Sequence, residues 1–182
     1  MGGGENPIPE MVRSGVRLQS MGADVLVMPP CNTAHYFYDK ITPFFDIPLL
    51  NMLKETVQEI PKRKIRKIGL LATDGTIKSR VYHTALADAG IDLLIPSPMK
   101  QMSVMDVIYN GIKASNRNIN LNEFYGTIDE LFEKGAEGLL LGCTELPVAF
   151  ELFHIERPAI DPTSVLAAAA IQFIDKSLLN RL

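Results

Sequence analysis

The chain has 182 residues, of which 47% are hydrophobic and 21% are charged, as is typical of a globular protein with a sizeable core. Its net charge of -3 gives no electrostatic reason to expect binding to nucleic acid or to an anionic membrane. Because no apolar stretch reaches the ~18 residues of a membrane helix and no signal peptide opens the chain, we expect a cytoplasmic protein.

Short apolar runs alternate with helical patterns along the chain. The predicted elements, in order, are helix Pro7–Met21, strand Ala23–Met28, strand Pro48–Asn51, helix Leu53–Ile60, strand Lys67–Ala72, helix Thr76–Ala89, strand Ile91–Ile95, helix Ser103–Ser115, helix Leu121–Lys134, strand Gly138–Leu141, strand Pro158–Ile160 and helix Ser164–Leu179. Strands that are apolar on both faces and separated by helices indicate a parallel sheet covered on both sides. The sequence therefore predicts an α/β fold.

Two segments with the same pattern contain the two cysteines of the chain. Residues 21–33 and residues 134–145 each read as a helix end, a Gly-Ala-acid triplet, an apolar strand, a turn, a cysteine and polar residues. The pattern indicates a degenerate internal repeat, with chance similarity of generic strands as the alternative. A true repeat would place Cys31 and Cys143 beyond the carboxyl ends of parallel strands, where open α/β sheets bind ligands.

Two thiols on opposite sides of one ligand could move a proton from one face of a carbon to the other. One of them, as a thiolate, would accept the proton, and the other would donate one. Reacting distances of about 3–3.5 Å on each side imply sulfurs roughly 6–7 Å apart, which is too far for a disulfide. A helix amino terminus with polar neighbours would stabilise the thiolate. The plain alternative for each cysteine is a small buried hydrophobe.

A pair of threonines lies at a predicted strand-to-helix junction. Thr73 and Thr76 flank Asp74 and Gly75, and their hydroxyls, together with free backbone amides, could hold a carboxylate. The alternative is ordinary capping of the helix, which does not exclude ligand binding.

Three charged or titratable residues are further candidates. His35, four residues after Cys31, could tune the thiol, although simple packing is favoured. Glu145 follows Cys143 closely and is either a charge near the site or the first acid of a helix. Lys113 lies at the edge of an apolar stripe on residues 103–115, with a solvated surface lysine as the alternative.

Four motifs resemble those of the cofactor-independent aspartate/glutamate racemase superfamily, and most closely those of aspartate racemases. They are PCNTAH (Pro30–His35), LLATDGT (Leu70–Thr76), IYNGIKA (Ile108–Ala114) and GCTE (Gly142–Glu145). The resemblance runs through essentially the whole chain. It implies two flavodoxin-like parallel-sheet halves related by pseudo-twofold symmetry, with the active site between them and no pyridoxal phosphate. We place the first half at residues 1–46 plus 157–182 and the second at residues 47–156.

The resemblance also implies roles for particular residues. Carried over by motif, Cys31 and Cys143 are the acid/base pair, and Lys113 recognises an acidic side chain. The carboxylate and amino groups of a small amino-acid substrate would be bound by Asn32, Thr33, Thr73, Thr76 and Thr144. His35 and Glu145 would lie behind the residues that touch the substrate. No cofactor is implied, and three histidines scattered along the sequence make a zinc site improbable.

The beginning of the chain differs from the family pattern. Members of the superfamily begin with a strand, a glycine-rich turn and a helix, followed by a strand that leads to a substrate-binding arginine. This chain begins after those elements, so we expect a first half that is truncated at its N-terminus. Apolar edges of the strand Ala23–Met28 would then be exposed, which favours a homo-oligomer, most simply a dimer. A double proline, Pro29-Pro30, also replaces the single proline usual before the first cysteine.

The expected function is therefore interconversion of L- and D-aspartate, or of L- and D-glutamate, by two-base proton transfer. Other reactions on the same scaffold stay open, namely hydantoin racemisation, maleate isomerisation and arylmalonate decarboxylation. A catalytically inactive, truncated racemase-like protein is the alternative from a different class. A dithiol redox role is less favoured, because the chain has no Cys-x-x-Cys motif.

Overall fold

The computed structural model describes residues 5–179, with side chains described as far as Asp175. Residues 1–4 and 180–182, which belong to the predicted first half, lie outside the described residues. The elements in chain order are α1 (Ile8–Ser20), β1 (Leu26–Val27), a 3-10 helix (Asn32–Phe37), α2 (Tyr38–Ile41), a second 3-10 helix (Thr42–Phe44), β2 (Leu49–Leu50), α3 (Met52–Lys62), β3 (Lys67–Ala72), α4 (Asp74–Ser79), α5 (Val81–Asp88), β4 (Asp92–Leu94), α6 (Pro98–Asp106), a π-helix (Val107–Lys113), α7 (Asn122–Glu133), β5 (Gly138–Gly142), α8 (Glu145–Leu152), β6 (Ala159–Ile160) and α9 (Pro162–Leu179).

The strands form two parallel sheets. One has the order β1-β2 and the other the order β4-β3-β5-β6. The predicted α/β class with two parallel-sheet halves is thereby confirmed. The register of the long central strands pairs Ala72 with Gly142, so β3 and β5 end at the same edge of the sheet. Helices α4 and α8 begin just beyond that edge, which therefore carries two strand-to-helix junctions side by side.

Helices cover both faces of the four-stranded sheet. Leu139 and Leu141 are buried in one cluster with side chains of α6, α7 and α8. Leu140, between them, is buried on the opposite face with side chains of α3 and α5, including Tyr82. Alternate residues of a strand point to opposite faces, so a strand covered on both sides must be apolar throughout. This is why the central strands are recognisable in the sequence.

Two short strands pair differently from the predicted division into halves. β2, which lies in the predicted second half, pairs with β1 through Leu26 and Leu49. β6, which lies in the predicted first half, pairs with β5 through Leu139 and Ala159. Strands this short carry no sequence signal for their partner, and contacts between distant segments decide the pairing. These two strands pair across the predicted boundary, and the division into halves stays a prediction.

Two predicted helices are also corrected. The helix predicted over Thr76–Ala89 is two helices, because Arg80 adopts a left-handed conformation with φ of 55° and interrupts the hydrogen-bond ladder between α4 and α5. The helix predicted over Ser103–Ser115 begins earlier, with Pro98 in its first turn, and ends as the wider π-helix. Neither change alters the spacing of apolar residues, so the sequence pattern does not reveal it.

Several short helical segments were not predicted. The two 3-10 helices and α2 occupy much of the segment between β1 and β2, and each is too short to show a helical period. For α8, the sequence predicted only that a strand-to-helix junction lies near Cys143. Within residues 5–179, no helix has the length and apolar character needed to cross a membrane.

Candidate active site

Both cysteines line one cavity of about 180 Å³ beyond the carboxyl ends of the parallel strands. The cavity brings together residues from four separate parts of the sequence. They are Cys31, Asn32, Thr33, Thr73, Thr76, Tyr109, Lys113, Gly142, Cys143, Thr144 and Glu145. Every predicted site residue except His35 is among them, whereas Tyr109 and Gly142 were not predicted. The sulfurs therefore share one compartment that opens to solvent.

Cys31 is exposed and precedes the 3-10 helix Asn32–Phe37 with an extended backbone. Its N–H donates a hydrogen bond of 2.7 Å to the carbonyl of Pro29, which closes a three-residue turn around Pro30. Its Sγ lies 3.3 Å from the hydroxyl Oγ1 of Thr33. The double proline thus builds a tight turn just before the cysteine, and a hydroxyl group is the hydrogen-bonding partner of the sulfur.

His35 does not line the cavity but lies buried behind the Cys31 loop. The N–H of Met52 donates to His35 Nε2 at 3.0 Å, so Nδ1 carries the ring hydrogen and donates to the carbonyl of Cys31 at 3.0 Å. Burial lowers the pKa of His35, and the bond to the Cys31 carbonyl offsets only part of this effect. The neutral ring ties the cysteine loop to the start of α3. This is the packing role favoured by the sequence rather than direct tuning of the thiol.

Cys143 is half-buried at the end of β5. Its Sγ lies 2.8 Å from Glu145 Oε2, with the thiol as donor, and the Thr144 hydroxyl donates to the same oxygen at 3.1 Å. Burial raises the pKa of the Cys143 thiol to about 12, and the hydrogen bond to the carboxylate contributes to the rise. Cys143 is therefore a protonated thiol near neutral pH, in a different electrostatic setting from that of Cys31.

Lys113 provides the positive charge of the cavity. Its Nζ lies 3.5 Å from Glu145 Oε1 and 4.8 Å from the centre of the Tyr109 ring. Both Tyr109 and Lys113 belong to the π-helix, a distortion that recurs at functional sites. Burial lowers the pKa of Lys113, but the Glu145 carboxylate, together with Tyr109 and Cys143, outweighs burial and raises the pKa. The lysine is therefore a cation at the cavity rather than a free surface residue.

The hydroxyl and amide groups of the cavity are held by specific hydrogen bonds. Thr73 caps α4 by accepting from the N–H of Thr76 at 3.3 Å, and the two hydroxyls are 3.2 Å apart. Thr73 thus caps the helix and also lines the cavity. Asn32 is buried, and its carboxamide oxygen accepts a hydrogen bond from the phenol of Tyr82. These bonds fix the polar wall between the two cysteine loops.

A known protein family matches the part of the chain that forms the cavity. The sequence profile of the Asp/Glu/Hydantoin racemase family matches residues 3–170. The chain belongs to this family. The match extends over all the segments that form the cavity, from Cys31 to Glu145.

Individual relatives are also racemases. The chain is 27% identical over 161 residues to the broad specificity amino-acid racemase RacX of Bacillus subtilis (strain 168), a match that covers 88% of the chain and 69% of that protein. It is 28% identical over 163 residues to the glutamate racemase of Persephonella marina, covering 88% of the chain and 61% of the relative. These racemases support a racemase function for the chain.

Solved structures lead to the same family. Aspartate racemase from Picrophilus torridus superposes with a TM-score of 0.76 at 29% identity, covering 93% of the chain and 70% of that protein. PH1733 from Pyrococcus horikoshii OT3, an aspartate racemase homologue, superposes with a TM-score of 0.80 at 23% identity, covering 91% of the chain and 73% of that protein. The second likeness concerns the fold alone.

Two residues of the cavity had only weak signals in the sequence. Gly142 precedes Cys143, and a Cβ atom there would lie 2.8 Å from Leu70 Cδ1 and 2.9 Å from Ala72 Cβ, so the position favours glycine. Tyr109 stands four residues before Lys113, a spacing that places two helical residues on the same side. Within the described part of the chain, no group of three or more metal-ligating side chains could hold a metal ion.

Proposed function

We propose that the protein interconverts the L and D forms of an acidic amino acid, aspartate or glutamate, without pyridoxal phosphate. The reaction would move the α-carbon proton between Cys31 and Cys143. The observation that carries the proposal is the single cavity lined by both thiols, with Lys113 and several hydroxyl groups around it. The named activities of the relatives support the same class of substrate.

The chemistry of the cavity fits this reaction step by step. A thiolate removes the α-proton, leaving the electron pair on the α-carbon and its carboxylate, and the opposite thiol delivers a proton to the other face. Hydroxyl groups of Thr73 and Thr76 line the cavity and can donate to the substrate carboxylate, where negative charge grows in the transition state. The substrate is neither oxidised nor reduced. One sulfur takes up a proton and the other gives one up, so the two sulfurs balance the reaction.

The size and charge of the cavity favour a small, acidic substrate. Its volume of about 180 Å³ is below the range of about 300–1,000 Å³ typical of pockets for drug-sized ligands. Lys113 would form an ion pair with the side-chain carboxylate of aspartate or glutamate and would keep its ion pair with Glu145. The function also requires reduced thiols, which the cytoplasm maintains, and we propose that compartment as the location.

The direct test is racemisation of D- and L-aspartate and of D- and L-glutamate by the full chain, followed by chiral chromatography. Exchange of the α-hydrogen in D₂O, followed by NMR, provides an independent readout. Cys31→Ser and Cys143→Ser should each reduce the rate by about 10²–10⁴-fold, the usual contribution of a general acid or base. Wild-type turnover in either variant contradicts the two-thiol mechanism. No turnover of either amino acid by the wild-type chain contradicts the proposed function itself.

A further inference from the structure

The two sulfurs of the cavity have hydrogen-bonding partners of opposite kinds. Cys143 Sγ lies 2.8 Å from a carboxylate oxygen of Glu145, which can only accept, so the sulfur must carry a proton. Cys31 Sγ lies 3.3 Å from the hydroxyl of Thr33, which can donate or accept, so this contact does not require a proton on the sulfur. The surroundings of the two cysteines therefore differ, although the sequence motifs around them look alike.

Glu145 is held in its ionised, accepting form by its surroundings. It is the first residue of α8, where the positive end of the helix dipole favours a negative charge. Thr144 donates to the oxygen that contacts the cysteine, and Lys113 faces the other oxygen at 3.5 Å. Burial raises the pKa of Glu145, but hydrogen bonds from Cys143, from its own backbone N–H and from Thr144, together with the charge of Lys113, outweigh burial and lower the pKa.

We propose that Glu145 is a positioning residue that holds the proton on Cys143 in the resting protein, so that Cys31 is the base and Cys143 the acid when substrate arrives. This assignment of acid and base rests on the proposed racemase function. The proton of the α-carbon passes to the Cys31 thiolate, and the S–H proton of Cys143 forms the new bond to the α-carbon. Cys31 is then a thiol and Cys143 a thiolate beside a carboxylate. The resting state returns when Cys143 takes up a proton and Cys31 releases one to solvent through the open cavity.

The test follows the protonation of each sulfur without requiring turnover. Alkylation by iodoacetamide consumes only the thiolate, and mass spectrometry reports Cys31 and Cys143 separately as the pH rises from 6 to 10.5. In the wild-type chain, Cys143 should stay essentially unlabelled below pH 10. Glu145→Gln keeps the shape and an accepting oxygen but removes the charge. We expect Cys143 labelling at pH 8.5 to rise about tenfold or more, with the curve of Cys31 unchanged.

Glu151→Gln is the matched control, because it removes the same charge from an exposed position on the same helix. It should leave both labelling curves in place. The pH midpoint of each curve separates protonation from access, since access changes the plateau and not the midpoint. If Glu145→Gln leaves the Cys143 midpoint unchanged, or shifts both cysteines equally, the proposed role of Glu145 is wrong.

The result of the labelling experiment can be distinguished from the result of the racemisation assay. A shifted Cys143 midpoint in a chain that racemises supports both the positioning role and the acid assignment. A chain that racemises without a shift refutes the positioning role alone. If Glu145→Gln does not fold, the wild-type curve decides by itself, because labelling of Cys143 with a midpoint below pH 9 overturns the inference.

Discussion

Gly142→Ala is the substitution that most directly tests how the fold positions the second cysteine. Gly142 ends β5 and pairs with Ala72 at the end of β3. A methyl group at position 142 would lie 2.8 Å from Leu70 Cδ1, 2.9 Å from Ala72 Cβ and 3.2 Å from the carbonyl of Leu71. The leucine tip can rotate away, but the other two atoms belong to a fully buried central strand. The strands must therefore separate locally, directly beside Cys143.

The magnitude follows from two opposing effects. Overpacking of a buried site costs about 1–3 kcal/mol. Replacing glycine by alanine restricts the unfolded chain and returns about 0.4–1 kcal/mol. We expect the free energy of unfolding to fall by about 1–2 kcal/mol, which corresponds to a Tm lower by about 2–8 °C for a domain of this size.

The assay is urea unfolding followed by circular dichroism, with a thermal melt as the second measurement. Gly75→Ala is the matched control, because the nearest atoms to an added Cβ are 3.6 and 3.7 Å away and the residue lies in helix α4. That variant should be as stable as the wild-type chain or more stable by up to about 1 kcal/mol. Equal stability of Gly142→Ala and wild type would refute the packing account of this glycine.

Two further predictions concern the walls of the cavity. Tyr82→Phe should lower the free energy of unfolding by about 1–3 kcal/mol, because the carboxamide oxygen of buried Asn32 loses its hydrogen-bond donor, and an unchanged urea midpoint would contradict this. The folded-state pKa of His35 lies below its unfolded value of about 6.5, so its contribution to stability is complete above that pH and is lost as the pH falls through 6.5 towards the folded-state value. His35→Gln should therefore show a smaller loss of unfolding free energy between pH 7 and pH 5.5 than the wild-type chain, and an equal loss in both would refute it.

Much of the fold was predictable because its main signals are local. The central strands are apolar on both faces, and each is followed by polar residues and a helix, so their positions and the α/β class follow from the order of residues. The same local pattern placed Cys31, Thr73 and Cys143 beyond strand ends. Thr73 and Cys143 follow neighbouring parallel strands of one sheet, and Cys31 follows a strand of the other sheet. The two halves were expected to meet at one ligand, and all three residues line the cavity.

Other features of the fold could not be predicted from local patterns. The partners of β2 and β6 and the break at Arg80 leave no periodic trace in the sequence. The same is true of the π-helix, which carries Tyr109 to the cavity.

The order of residues alone therefore determined the layered α/β architecture, because a strand buried on both faces must be apolar throughout. It also showed that the two cysteines lie in similar sequence patterns. Only the tertiary structure decided that one sulfur faces a hydroxyl and the other a carboxylate. The protonation of a thiol depends on which groups surround it in space, and Lys113, one of those groups, lies about thirty residues away along the chain.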